Sequence, residues 1–312
     1  MRLSPDAPRS AIPGSFPRRV RLGAVLLALV LVGASAPAAW GQTTYYVDGD
    51  TGSDGSTGDT WASAFATLTK ALDAATGSDQ IWIAQGTYYP DEGPGVTDDD
   101  RSASFTVTGV QDGLEIYGGF ENGDAFTDRS PTDHPVILSG DVNGDEGAPF
   151  NSYHIVLMDG GASIGSDIDA NITSATVLSG VTITGGRANG TGFNIEGGGM
   201  YCDGYGSGNA CSPTLTHVTF IGNQAQYKGG AIYNNGGLGG TSSPTIANAV
   251  FSGNESLNTG GAIHNDGTSS PTITNALFAG NTAGISGGAI YNYEGPLGTS
   301  RPTLTNATFT GN

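Results

Sequence analysis

Pro213-Thr-Leu-Thr-His-Val-Thr-Phe220-Ile-Gly-Asn223 is written four times in the last third of the chain. It returns as Pro244 to Asn254, Pro271 to Asn281 and Pro302 to Asn312. A second phrase lies between the copies: Gly229-Gly-Ala-Ile-Tyr233, Gly260-Gly-Ala-Ile-His264 and Gly287-Gly-Ala-Ile-Tyr291, with the variant Gly198-Gly-Met-Tyr-Cys202 ahead of them. The phenylalanines fall at 220, 251, 278 and 309, so the period is 31, 27 and 31 residues. Self-similarity at that period is the mark of a stacked solenoid.

The apolar residues of each unit come in short runs broken by Thr, Asn and Gly, too short for a helical stripe. They read as strands, aligning Leu215, Val218 and Phe220 with Ile246, Val250 and Phe251, and with Ile273, Leu277 and Phe278. Three short strands and three bends make one coil of a parallel β-helix, stacked on the next at about 4.8 Å. The phenylalanines are then expected to form an interior stack. Asn248, Asn275 and Asn306, with His217 in register, read as a buried amide ladder, because buried polar groups must be paired. Asn223, Asn254, Asn281 and Asn312 follow Gly and read as bend residues.

The pairing of Gly-Gly-Ala-Ile with Phe-x-Gly-Asn over residues 198–312 resembles the repeat of the polymorphic outer-membrane proteins. More broadly the chain resembles right-handed parallel β-helix proteins of the pectin-lyase fold. The resemblance implies an all-β, right-handed single-stranded parallel β-helix and a secreted, autotransporter-like surface protein.

Residues 1–41 read as a secretory signal. Arg18, Arg19 and Arg21 precede the apolar run Leu22 to Gly33, and Ala39-Trp40-Gly41 reads as a small-x-small cleavage site, with Ala36-Pro37-Ala38 as the alternative. The formal net charge is −18 for the whole chain and −22 without these residues, which hold five arginines and one aspartate. Such a surface excludes nucleic acid and anionic lipid as partners. No other apolar run is long enough to insert into a membrane.

Residues 42–89 read as an N-terminal cap and first coil. Phe65, Leu68, Leu72 and Ala75 share one helical face near Thr67, predicting one short capping helix. Tyr45-Tyr-Val47, Gln80-Ile-Trp-Ile-Ala84 and Gly86-Thr-Tyr-Tyr89 read as strands. This succession is similar to the N-terminal cap of many bacterial β-helix proteins. Residues 90–190 read as irregular coils with loop insertions, among them a solvated acidic loop at 90–103. Residues 191–312 read as regular 27–31-residue repeats. Phe309-Thr-Gly-Asn312 ends a phrase with no Gly-Gly-Ala-Ile behind it, so the array reads as truncated. Nine or ten coils are expected.

Asp141, Asn143 and Asp145, around Gly144, place oxygen ligands at alternating positions, as in the first half of a calcium loop. They are the candidate metal ligands, set against an ordinary Asx-turn loop. Asp48, Asp50 and Asp54 are a weaker version of the same pattern. Calcium is the one cofactor considered, and none is required. Cys202 and Cys211 are the only cysteines, and in an exported chain they read as a loop-pinning disulfide, with two free thiols as the alternative.

No catalytic residue stands out. A lyase needs a cation and a basic residue, yet Lys70, Arg101, Arg129, Arg187, Lys228 and Arg301 show no acidic cluster beside them in sequence. A hydrolase needs paired carboxylates, and residues 191–312 hold only Asp203 and Asp266 as aspartates. His134, His154, His217 and His264 form no metal motif. The expected protein is a non-catalytic cell-surface or outer-membrane passenger, structural or adhesin-like, whose Tyr, Asn and Thr rows meet carbohydrate or a surface protein. The alternative is a carbohydrate-active enzyme, lyase or glycosidase, with its site within 90–190.

Overall fold

A computed structural model describes residues 41–144, 150–161, 171–296 and 298–312. The signal segment and Asp145 lie outside the described residues. Every named strand pairs in parallel with its counterpart in the next coil, as a β-helix requires. A right-handed coil is the sense that connections between parallel strands favour.

The longest face stacks Thr44–Val47, Gln80–Ala84, Glu115–Phe120, Val177–Ser179 and Thr214–Thr216. It continues into the first halves of Thr245–Ser252, Thr272–Ala279 and Thr303–Thr310. Eight strands in this column make seven steps of about 4.8 Å, or about 34 Å, fewer coils than the sequence suggests. The long connections at 89–104 and 121–135 use up chain without adding rungs. A second face stacks Gly86–Tyr88, Val136–Ser139, Val181–Thr184 and Thr219–Ile221, then the second halves of the same eight-residue strands. A two-residue column runs from Arg187–Ala188 to Thr282–Ala283. The remaining face stacks Phe105–Thr108, Val156–Asp159, Met200–Asp203, Ile232–Gly236, Ile263–Gly267 and Ile290–Tyr293.

Within the regular coils one residue makes the corner between the first two faces. His217, Asn248, Asn275 and Asn306 all take positive φ, between 52° and 55°. Asparagine visits this left-handed region more readily than other non-glycine residues. The corner also resets the inward alternation. Ile246 faces in, Asn248 turns, and Ala249 and Phe251 face in again. The buried partners of Val218 are therefore Ala249 and Ala276, while Val250 and Leu277 align with Thr219 and point outward. The sequence alignment of Val218 with Val250 and Leu277 was one residue out.

Phe220, Phe251 and Phe278 stack face to face inside and the half-exposed Phe309 continues the stack, with centroids 5.3, 4.8 and 4.8 Å apart and planes within 5°. Their column is continued by Ile183, Leu138 and Tyr88. The corner asparagines do form a ladder: Asn275 Nδ2 donates to Asn248 Oδ1 at 3.1 Å and Asn306 Nδ2 to Asn275 Oδ1 at 2.8 Å. That ladder is exposed, not buried. The interior ladder is the other column. Gly222, Gly253, Gly280 and Gly311 take the left-handed angles there, and the asparagine after each turns inward. Asn223, Asn254 and Asn281 are fully buried. Asn223 Nδ2 donates to Asn254 Oδ1 (3.1 Å), Asn254 Nδ2 to Asn281 Oδ1 (2.9 Å) and Asn281 Nδ2 to Asn312 Oδ1 (2.7 Å). Asn234, Asn265 and Asn292 form a further ladder, with both steps at 2.7 Å.

The N-terminal end is closed by helix α1 (Leu68–Ala74) and the segment before it. Thr67 caps α1 by accepting from the Lys70 N–H at 3.2 Å, and Phe65, Leu68, Leu72 and Ala75 are buried beneath it. Residues 58–65 hydrogen-bond along the free edge of Thr44–Val47, so the first strand is not left open. The aspartates of the Asp48/Asp50/Asp54 loop fix this cap. Asp54 accepts from the N–H groups of Ala66 and Thr67 and from the Thr67 hydroxyl. Asp48 accepts from Asp50, Thr51 and Asn122. These contacts give the loop a structural role in the cap.

Candidate functional site

The outer side of the last face carries the most elaborate polar arrangement among the described residues. Two columns build it. The first is the residue ahead of each Gly-Gly pair: Glu196, Lys228, Thr259 and Ser286 bridge one another in register. The glycines are needed there, because a Cβ on Gly230 would meet the Gly261 carbonyl oxygen at 2.3 Å. The second column is Asp159, Asp203, Asn235, Asp266 and Tyr293, aligned across successive coils. Between them run Tyr201, Tyr233, His264 and Tyr291, ring against ring at 5.1 to 5.6 Å.

Lys228 joins the columns. Its ammonium lies 2.6 Å from Asp266 Oδ2 and 3.3 Å from Glu196 Oε1, with all three side chains one-fifth exposed or less. The Tyr233 hydroxyl donates to the same Asp266 oxygen at 2.9 Å. Burial alone would lower the Lys228 pKa, but the two carboxylates outweigh it and hold the ammonium above its ordinary value. Burial raises the Glu196 carboxyl despite the attraction of Lys228. His264 stands beside the cluster, hydrogen-bonded through Nδ1 to Thr259 at 2.9 Å. Burial, then the charge of Lys228, pushes its pKa down to about 3, so it stays neutral at ordinary pH.

Above this floor is a groove of about 470 Å³, walled by Tyr205, Tyr233, Leu238 and Tyr293, by the glycine-rich loop at 236–239 and by Gly295, Pro296 and Gly298. That volume lies within the range of small-molecule sites, and a few convergent polar groups among apolar walls is their usual form. Leu238 and Tyr293 are about half exposed or more, so the upper walls are open to solvent.

The sequence-predicted residues fall elsewhere or change meaning. Lys228 does have an acidic cluster, invisible in sequence because its partners are 32 and 38 residues away. Asp203 and Asp266 share one column. Glu196, Asp266 and Tyr233 as a polar centre were missed. The signal was the variable position before Gly-Gly, charged in two copies only. Cys202 and Cys211 are joined in a disulfide with Cα atoms 5.6 Å apart. Both are fully buried, so the bridge pins the intervening loop from the interior side. Asp141 and Asn143 lie on one side of an acidic cavity, described below. Among the described residues no three His, Cys, Asp or Glu side chains are already drawn together as a metal-ligand set. Among those residues, too, no helix is long and apolar enough to cross a membrane.

Residues 217–235, 248–266 and 275–293 match the Chlamydia polymorphic membrane protein repeat. The chain is a parallel β-helix whose repeats resemble those of the polymorphic membrane proteins. Each matched segment of this β-helix runs from the corner residue to the strand that floors the groove. The groove residues Lys228, Tyr233 and Asp266 thus lie within the repeats. Two solved structures are similar to the chain. The pectin methylesterase of Aspergillus niger is 14% identical, over 89% of this chain and 87% of that one, with a TM-score of 0.33. A rhamnogalacturonan lyase is 12% identical, over 85% of this chain and 87% of that one, with a TM-score of 0.22. No curated protein sequence matches the chain.

Proposed function

We propose that this protein is an adhesin-like surface passenger, non-catalytic, that binds carbohydrate in the groove over Lys228. The single observation that carries the reading is the groove itself. Tyrosine walls stand over a floor of paired donors and acceptors, the chemistry that holds a sugar ring by its faces and hydroxyls. The repeat match to a membrane-protein family supports placement at the cell surface. Against a lyase, Lys228 is held charged by Glu196 and Asp266 and is a poor proton acceptor at neutral pH. Its carboxylates, with Glu294 on the rim, favour neutral or amino sugars over uronic acids.

The test is to measure binding of neutral, amino-sugar and uronic-acid oligosaccharides by calorimetry while assaying reducing ends and unsaturated products. Binding without turnover, weakened at least tenfold by Tyr233→Ala, supports the proposal. Absence of binding to all three removes the carbohydrate reading. The second reading, a hydrolase, rests on Glu196 and Asp266 converging on one groove, since paired carboxylates are the machinery of glycoside hydrolysis. Product release abolished by Glu196→Gln would favour it.

A further inference from the structure

A second cavity, of about 510 Å³, lies between two loops that the sequence treats separately. Asp91, Glu92, Asp98 and Asp99 line one side and Asp141 and Asn143 the other, and among the described residues no basic side chain lines it. An acidic cluster alone is common on a chain of net charge −18. This one holds something more. Asp91 is only 5% exposed, and its Oδ1 is buried without a hydrogen-bond partner. Its Oδ2 accepts the Asp99 N–H at 2.9 Å, which ties the far end of the acidic loop to the same carboxyl. A buried carboxylate oxygen left unpaired keeps its full desolvation penalty. Five carboxyl groups around one cavity add mutual repulsion. Burial first, and then the neighbouring charges, raises the pKa of both Asp91 and Glu92.

We propose that this cavity is a calcium site, with Asp91 Oδ1 as its buried ligand and the 98–99 and 141–143 segments supplying the remaining oxygens. Calcium fits because it takes six to eight oxygens in irregular geometry, drawn from carboxylates, amide carbonyls and water together. Two carboxylates with Asn143 and water are enough, so a preassembled trio of acids is not needed. The ion would tie the 90–103 loop to the 139–144 segment and neutralise the strongest concentration of like charge beside the irregular coils. The proposal moves the centre of the expected loop site: Asp141 and Asn143 remain, and Asp91 becomes the anchor.

The experiment uses the full chain. Its melting is followed in EDTA, in about 10 mM calcium chloride and in equal magnesium chloride, with calorimetry for stoichiometry. That calcium concentration is at least ~10-fold above the 10⁻⁴–10⁻³ M range of extracellular calcium modules. One calcium per chain and a rise in Tm of about 5 °C are expected, with little effect of magnesium. Asp91→Asn and Asp141→Asn should each remove most of the rise. The second variant covers the case in which the buried one fails to fold. No rise in calcium would overturn the proposal. An equal rise in magnesium that survives Asp91→Asn would also overturn it, since that is screening of an acidic surface.

Discussion

Two asparagine columns that look alike in sequence do opposite jobs. Asn248 sits at an exposed corner and is chosen for its backbone angle. Asn254 sits inside and is chosen for its side chain. Its amide donates to the Phe220 carbonyl and to Asn281 Oδ1, and its Oδ1 accepts from the backbone and the side chain of Asn223. Removing it strands several buried groups, each costing about 1–3 kcal/mol. Asn254→Ala is therefore expected to cost about 3–5 kcal/mol in denaturant titration. Asn248→Gly keeps the left-handed corner and should cost under about 1 kcal/mol. Equal losses for the two would refute the assignment. Sequence located both columns but exchanged their environments. Gly-Asn and Thr-Asn or Ala-Asn both signal a bend, and only the preceding glycine, which takes the strained angles itself, frees the next asparagine to point inward.

At the scale of the strand, the phenylalanine stack is legible because its period is unmistakable and the same ring returns in every copy. The neighbouring column is not. A left-handed residue at Asn248 or Asn275 breaks the two-residue alternation, so the inward position falls on the small Ala249 and Ala276 while the bulky Val250 and Leu277 face out. Size pointed the wrong way. Phe251 contacts rings on both sides at 5.3 and 4.8 Å and is fully buried. Phe251→Ala should cost about 3–5 kcal/mol and loosen both adjacent coils, seen as faster amide exchange in residues 220–222 and 277–280. A cost under about 1 kcal/mol would mean the ring is not packed.

For the molecule as a whole, the groove was the least legible feature. Its members are one coil apart, so they meet only after the stack forms, and they occupy the positions in which the repeats differ. The same face governs the response to acid. His154 is buried, its Nδ1 donating to the Gly197 carbonyl at 2.9 Å, and burial pushes its pKa down to about 4. His264 is pushed to about 3. The unfolded chain takes up protons below about pH 6.5 and the folded chain does not, so stability is full above that value and falls with pH down to about 4. Each histidine contributes about 1.4 kcal/mol per pH unit in that window. Raised carboxyls such as Glu196 and Asp91 act in the opposite sense. The decisive measurement is the difference between wild type and His154→Gln, whose urea midpoint should fall less steeply from pH 6.5 to 4.5. Parallel pH profiles would exclude a buried neutral His154.

The two interior asparagine ladders point one way. From Asn223 to Asn312, and from Asn234 to Asn292, each side chain donates to the coil that follows, and backbone contacts fix that orientation for the first series. The exposed corner series runs the other way. Every regular unit thus presents the same plug on one side and the same socket on the other. Units of 27 and of 31 residues already sit side by side, their difference absorbed in surface loops. Reach is therefore a free variable of this architecture: whole units can be inserted or removed without reversing a single dipole, and the binding face can change from copy to copy while the joint between copies stays the same.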